Sequence, residues 1–216
     1  MYVNKNLPPH LGGHDNETHL DDGVLDYMIN KYKIESYLDV GCGPGGMCEL
    51  AASKGLRVLG IDGDYTLNHK EKTIIHDYTF GPASITEQFD MAWSCEFLEH
   101  VEEQYMSHYM DSFQKAKYVV CTYAVPGQWG HHHVNCQPMQ YWKDCFAKYG
   151  FKFSASESMN LRSASTMKDT DMRSSRLRVR IFLLILSSSI LVRKFIVENR
   201  LAGLRRKISS GLGLRN

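Results

Sequence analysis

Over the first 160 positions, apolar residues gather in short runs separated by glycine-rich or helix-patterned stretches. Residues 37–40, 58–61, 73–75, 89–94 and 118–122 are apolar and β-branched or aromatic enough to predict five strands. Between them 46–54, 96–115 and 138–149 read as helices. Over 21–32, Val24, Leu25, Met28 and Ile29 recur at helical spacing behind Asp21 or Asp22, either of which can cap the start. The stretch between the second and third strands is too short for more than a turn. Gly150 ends a helix, and 151–157 reads as a sixth strand. One more strand is expected beyond residue 160, with 179–186 and 190–197 both suited. Strands alternating with helices predict a parallel α/β sheet that binds its ligand at the strands' carboxyl ends.

The most informative stretch is Leu38-Asp39-Val40-Gly41-Cys42-Gly43-Pro44-Gly45-Gly46, at the first strand's exit. A glycine-rich strand-to-helix turn lets backbone approach a ligand closely and aims N–H groups at it. Gly41, Gly43 and Gly46 also satisfy the spacing of a dinucleotide fingerprint. Asp39 argues against that reading, because a carboxylate beside the turn repels a pyrophosphate and attracts a cation.

With Asp39, Gly41, Gly43 and Gly45 in register, the stretch resembles the first motif, D-x-G-x-G-x-G, of the class I S-adenosylmethionine-dependent methyltransferases. That resemblance covers about residues 36–157. It implies a Rossmann-like seven-stranded α/β sheet with helices on both faces, and S-adenosylmethionine as cofactor. It also assigns cofactor roles at later strand ends. Asp62 would accept from the ribose hydroxyls, Asp77 from the adenine amine beside Tyr78 or Phe80, and Ser94 with Cys95 would lie near the methyl-bearing sulfur. Leu11 through His19 would fold over the cofactor as a lid. A nicotinamide-dependent oxidoreductase is the competing reading of the turn.

The second constellation is Glu96-Phe97-Leu98-Glu99-His100. On a helix, Glu96, Glu99 and His100 share one face, where they can bind a divalent cation such as Mg²⁺ or serve catalysis directly. The E-x-x-E-H pattern is similar to the metal-binding helix of small-RNA 2′-O-methyltransferases and ubiquinone-pathway O-methyltransferases. A further ligand would come from His131-His132-His133, with His132 the choice. Such a cation would lower the pKa of an attacking hydroxyl. Without one, His100 would act as base or line the pocket. The loop from Tyr123 to Asn135, with Gln137 beyond it, combines Pro, Gly, aromatic and His residues as a substrate-contacting loop does.

Composition refines this picture. Of 216 residues 43% are apolar and 23% charged, as in a globular protein. The net charge of +1 conceals a skew, since residues 151–216 hold 14 of the 25 Lys and Arg but 4 of the 24 Asp and Glu. That basic segment suits an anionic partner or a membrane surface. The apolar run 181–192 is too short to cross a bilayer, although its flanking arginines permit an interfacial helix. Six cysteines (Cys42, Cys48, Cys95, Cys121, Cys136, Cys145) form no C-x-x-C pair, and residues 1–19 are polar, so a cytoplasmic location is expected. The organisation expected is a cap and helix over 1–35, a cofactor-binding core over 36–160, and last strands with a basic extension over 161–216.

After the fourth strand the chain has Ser94-Cys95-Glu96-Phe97, not the N-P-P-Y-type tetrapeptide of amino-methylating nucleic-acid enzymes, and it lacks the K-D-K-E residues of cap-ribose methyltransferases. The reading is therefore an O-methyltransferase acting on a small-molecule or sugar hydroxyl. RNA ribose is the alternative acceptor, and a non-catalytic cofactor-binding or partner protein is the further one.

Overall fold

The computed structural model describes residues 7–14, 16–167 and 182–186. Seven strands form one sheet: β1 (Ser36–Val40), β2 (Arg57–Asp62), β3 (Thr73–Ile75), β4 (Phe89–Ser94), β5 (Ala116–Cys121), β6 (Phe151–Phe153) and β7 (Phe182–Leu186). Their order is β3-β2-β1-β4-β5-β7-β6. The first five run parallel, and β7 lies antiparallel between β5 and β6. The strand order reverses between β1 and β4, the switch point where α/β sheets of this kind open a crevice.

Five α-helices flank the sheet: α1 (Asp22–Tyr32), α2 (Gly46–Ser53), α3 (Met106–Phe113), α4 (Met139–Lys148) and α5 (Ala155–Ala164). Side chains alternate along the central strands β1, β4 and β5, which feed two cores. Tyr37, Met91, Trp93 and Val120 pack with Val24, Met28 and Met47 of α1 and α2, and with Leu161 of α5. Leu38, Val40, Ala92 and Val119 pack with Tyr109 and Phe113 of α3 and with Trp142 and Phe146 of α4. Full burial on both faces explains why the strand runs are apolar without clean alternation.

Local chemistry sets the ends of these elements. Asp21 caps α1 by accepting from the Val24 amide at 3.0 Å, and it also accepts from the Thr166 amide at 2.9 Å, which ties α1 to the end of α5. Between β2 and β3 the chain makes only a turn.

Two sequence expectations are corrected. Residues 96–115 are not one helix. Glu96 has φ +50, a left-handed conformation that no α-helix propagates, and 3₁₀ turns at Leu98–His100 and Glu103–Tyr105 precede α3. The sixth strand stops at Phe153, because Ser154 accepts from the Glu157 amide and starts α5. The last strand is Phe182–Leu186, within the 179–186 candidate, while 190–197 and most of the basic segment lie outside the described residues. No helix among the described residues is long and apolar enough to cross a membrane.

Candidate active site

The glycine turn after β1 is held from within. The Gly41 and Cys42 amides both donate to the Ile61 carbonyl (2.9 and 3.0 Å), and the Gly45 amide closes onto the Cys42 carbonyl at 3.0 Å. Gly41, Gly43 and Gly45 take φ values of +76, +51 and +89, which glycine adopts without a Cβ penalty. The Gly43 amide donates to Asp62 Oδ2 at 2.7 Å, and the Gly46 amide, at the start of α2, donates to Thr18 Oγ1 at 3.2 Å. The amides that a dinucleotide turn would offer to a pyrophosphate are therefore engaged by a carboxylate and a hydroxyl of the chain itself.

In front of this turn, at the carboxyl ends of β1, β2 and β4, lies a cavity of about 660 Å³, within the usual range for small-molecule sites. Asp39, Gly41, Gly43, Asp62, Asp77, Glu96, His100 and His132 all line it. Gly45 and Ser94 do not. Gly45 shapes the turn, and the Ser94 hydroxyl, fully buried, donates to the Val40 carbonyl at 2.8 Å. The cofactor contact expected of Ser94 is thus corrected, since its one donor is committed to the neighbouring strand.

The carboxylates differ in environment. Asp39 is 2% exposed, with the Tyr37 hydroxyl and Cys48 thiol as distant partners at 3.5 and 3.8 Å. Burial first, then the nearby Asp62 carboxylate, push its pKa up to about 8. Asp62 spans two loops, because its other oxygen accepts from the Asp64 amide at 2.8 Å. Asp77 accepts from the Thr79 amide and from His10 Nε2, both at 2.8 Å, and its pKa is lowered despite partial burial, with the His10 and Thr79 hydrogen bonds responsible.

His10 belongs to a strap, residues 7–14 and 16–20, laid across the cavity. Its His14 contacts Asp64 at 3.1 Å, and Leu11 fills the space that a side chain at Gly63 would need. The lid expected of Leu11 to His19 lies along this course.

At the other end of the cavity Glu96 leaves β4 in its left-handed conformation. Its amide donates to Thr122 Oγ1 at 2.8 Å, and the Thr122 hydroxyl donates back to Glu96 Oε1 at 3.1 Å. This clamp, absent from the sequence reading, comes from the end of β5.

The expected metal set of Glu96, Glu99, His100 and His132 does not assemble. Glu96 is held by Thr122, and His132 turns toward His10, with ring centroids 6.2 Å apart. The groups that do converge are Glu99, His100 and His133, with ligand atoms within 4.8 Å of one another. Glu99 is fully buried, and neither carboxylate oxygen has a hydrogen-bond partner among the described residues. Burial, then the adjacent Glu96, raise its pKa well above the usual carboxylate value. Burial, then His133, lower His100 to about 3, which leaves a neutral imidazole of little basicity.

A family model described as "Methyltransferase domain" matches residues 13–168. Among solved structures, magnesium protoporphyrin IX methyltransferase from Synechocystis PCC 6803, with bound S-adenosylmethionine, is similar at a TM-score of 0.53 and 16% identity over 77% of each chain. The methyltransferase domain of bacterial CtHen1-C gives a TM-score of 0.54 at 14% identity, over 76% of this chain and 96% of that one. A TehB-like S-adenosylmethionine-dependent methyltransferase from Corynebacterium glutamicum gives 0.54 at 15%, over 76% and 87%. At these identities the likeness is one of fold. No curated protein sequence matches the chain.

Proposed function

From the premise that this chain belongs to the class I S-adenosylmethionine-dependent methyltransferases, we propose that it transfers a methyl group from S-adenosylmethionine to the hydroxyl of a small molecule or sugar. The observation that carries the reading is the buried Asp39 carboxylate beside a glycine turn whose own amides are already satisfied. Such a site suits a ligand with positive charge and no phosphate. S-adenosylmethionine fits, and when bound it supplies the electrophilic methyl. Asp39 would pair with its ammonium, Asp62 would accept from its ribose hydroxyls, and Asp77 would accept from its adenine amine once His10 yields that oxygen. Gly41 and Gly43 allow close backbone approach. Glu96, fixed by Thr122, and neutral His100 accept hydrogen bonds from the acceptor, and holding the two reactants together provides most of the acceleration. With a pKa of about 3, His100 orients the acceptor rather than removing its proton; as the C–O bond forms and the S–C bond breaks to leave S-adenosylhomocysteine, the hydroxyl proton would pass by way of the Glu96 carboxylate to water.

Calorimetry with S-adenosylhomocysteine and with NAD tests the cofactor. Binding of the first alone is expected, and tight NAD binding with none of the other overturns the reading. Affinity for S-adenosylmethionine should also depend on pH. A cation that pairs with ionised Asp39 must first displace its proton below about pH 8. Binding should therefore strengthen from pH 6 to about 8, by at most about tenfold per unit, and then level off. The sign follows from a pKa raised in the folded protein, which also means that the free protein loses stability as pH rises through this window. In Asp39→Asn the slope should vanish; an identical slope there would remove Asp39 from the contact.

A second reading adds a divalent cation, and the partnerless Glu99 carboxylate favours it. Glu99, His100 and His133 would hold the ion, and a two-imidazole, one-carboxylate set suits a transition metal better than Mg²⁺. It would polarise the acceptor oxygen. Equilibrium dialysis should find one Mn²⁺ or Zn²⁺ bound per chain in the wild type and a loss of at least tenfold in affinity in Glu99→Gln. Equal binding by both proteins rejects the site.

A further inference from the structure

The cavity is one-sided in charge. Glu17, Asp39, Asp62, Asp77, Glu96 and Glu102 line it, and no Lys or Arg among the described residues does. The cations that follow β2 face away, with Lys70 paired to Glu49 at 2.7 Å and Lys72 to Glu87 at 2.9 Å. In the glycine turn the Gly43 amide is taken by Asp62 and the Gly46 amide by Thr18. Phosphate recognition leans on Arg and Lys, and the described residues that line this cavity include neither. Glu17, Glu96 and Glu102 remain for the acceptor after the methyl donor has engaged Asp39, Asp62 and Asp77. Phe97 and Tyr105 lie among them, and their ring faces suit a cation or a neutral apolar group.

On the methyl-transfer reading above, we infer that the acceptor enters as an uncharged or positively charged small molecule bearing no phosphate. The cavity wall filters acceptors by charge, and an RNA ribose, flanked by phosphates, fails that filter.

The test uses the full chain at pH 8, where ordinary imidazoles are neutral, and low salt. A cell extract is split beforehand into RNA, an anion-exchange-retained fraction, a cation-exchange-retained fraction and a neutral flow-through. Each is incubated with tritiated-methyl S-adenosylmethionine, and S-adenosylhomocysteine binding is measured in parallel by calorimetry. Label arising in the neutral or cation-retained fraction is the expected result. Label confined to RNA or the anion-retained fraction overturns the inference, as does no label anywhere from a protein that binds S-adenosylhomocysteine. Absence of that binding instead removes the methyl-transfer reading itself.

Discussion

Replacing Asp62 by alanine is expected to weaken S-adenosylhomocysteine binding by at least about a hundredfold and to lower the melting temperature of the free protein. The reason is that one carboxylate does two jobs. Its Oδ2 accepts from the Gly43 amide at 2.7 Å and its Oδ1 from the Asp64 amide at 2.8 Å, so it fastens the glycine turn after β1 to the loop after β2. Hydrogen bonds to a charged acceptor contribute about 1.5–3 kcal/mol each. The Gly43 amide borders the cavity and can recover water, whereas Asp64 is buried, and the pair is expected to contribute about 3 kcal/mol. The ligand then meets a turn no longer held in place and lacks its ribose acceptor, and about 3 kcal/mol in affinity is a little over a hundredfold. Asp62→Asn keeps one carbonyl acceptor and should fall between alanine and wild type. Calorimetry and thermal melts of the three proteins check the ordering, and an alanine variant within threefold of wild-type affinity would remove Asp62 from the site.

Asp39, Asp62 and Asp77 could be found in the sequence because their signal is local. A carboxylate that ends an apolar run must lie at the strand's carboxyl end, and in an α/β sheet those ends face the ligand. The turn glycines were legible for the same reason, since their spacing states a backbone requirement. Asp21, one residue before a helical pattern, was legible as a cap.

What escaped depends on contacts distant in sequence. Glu96 sits in a left-handed conformation because its amide reaches Thr122, twenty-six residues on, and no helical spacing rule registers that bond. With Glu96 out of the helix, Glu99 turns into the interior instead of sharing its face. His132 has φ +47, which breaks the histidine run and sends His132 and His133 to different places. Ser94 ends its strand like the aspartates, but it is fully buried and its hydroxyl is spent on Val40. The strand expected over 151–157 stops early for a local reason: Ser154-Ala155-Ser156-Glu157 has the spacing of a capping box, and Ser154 accepts from the Glu157 amide to start α5. The place of β7 between β5 and β6 is a matter of tertiary pairing alone.

Gly41→Ala should be the most damaging single methyl group that can be added to this chain's cofactor turn. At φ +76 an alanine carries a backbone cost of about 1–2 kcal/mol. Its Cβ would stand 2.4 Å from Phe97 Cδ2, 2.7 Å from Cγ and 2.9 Å from Cβ. Phe97 has little room to retreat, because its ring is packed edge-on against Tyr78 and Tyr109 at centroid distances of 5.8 and 5.5 Å. Overpacking of this kind adds about 1–3 kcal/mol. The sum, about 3 kcal/mol, corresponds to a fall of about 6–12 °C in melting temperature for a chain of this size. The functional loss should exceed the stability loss, because Phe97 lies between Glu96 and His100, and pushing it displaces the acceptor end and the cofactor turn together. Gly55→Ala provides the comparison. Its φ is +84, but nothing lies within 4 Å of the added carbon, so it should pay only the backbone cost. In the double variant Gly41→Ala/Phe97→Ala the clash is gone, and the two changes should cost less together than their sum. Melting curves of the wild type, the two glycine variants, Phe97→Ala and the double variant, with S-adenosylhomocysteine affinities beside them, decide the matter. If Gly41→Ala melts no lower than Gly55→Ala, Phe97 is free to move, and the coupling drawn here between methyl donor and acceptor ends does not exist.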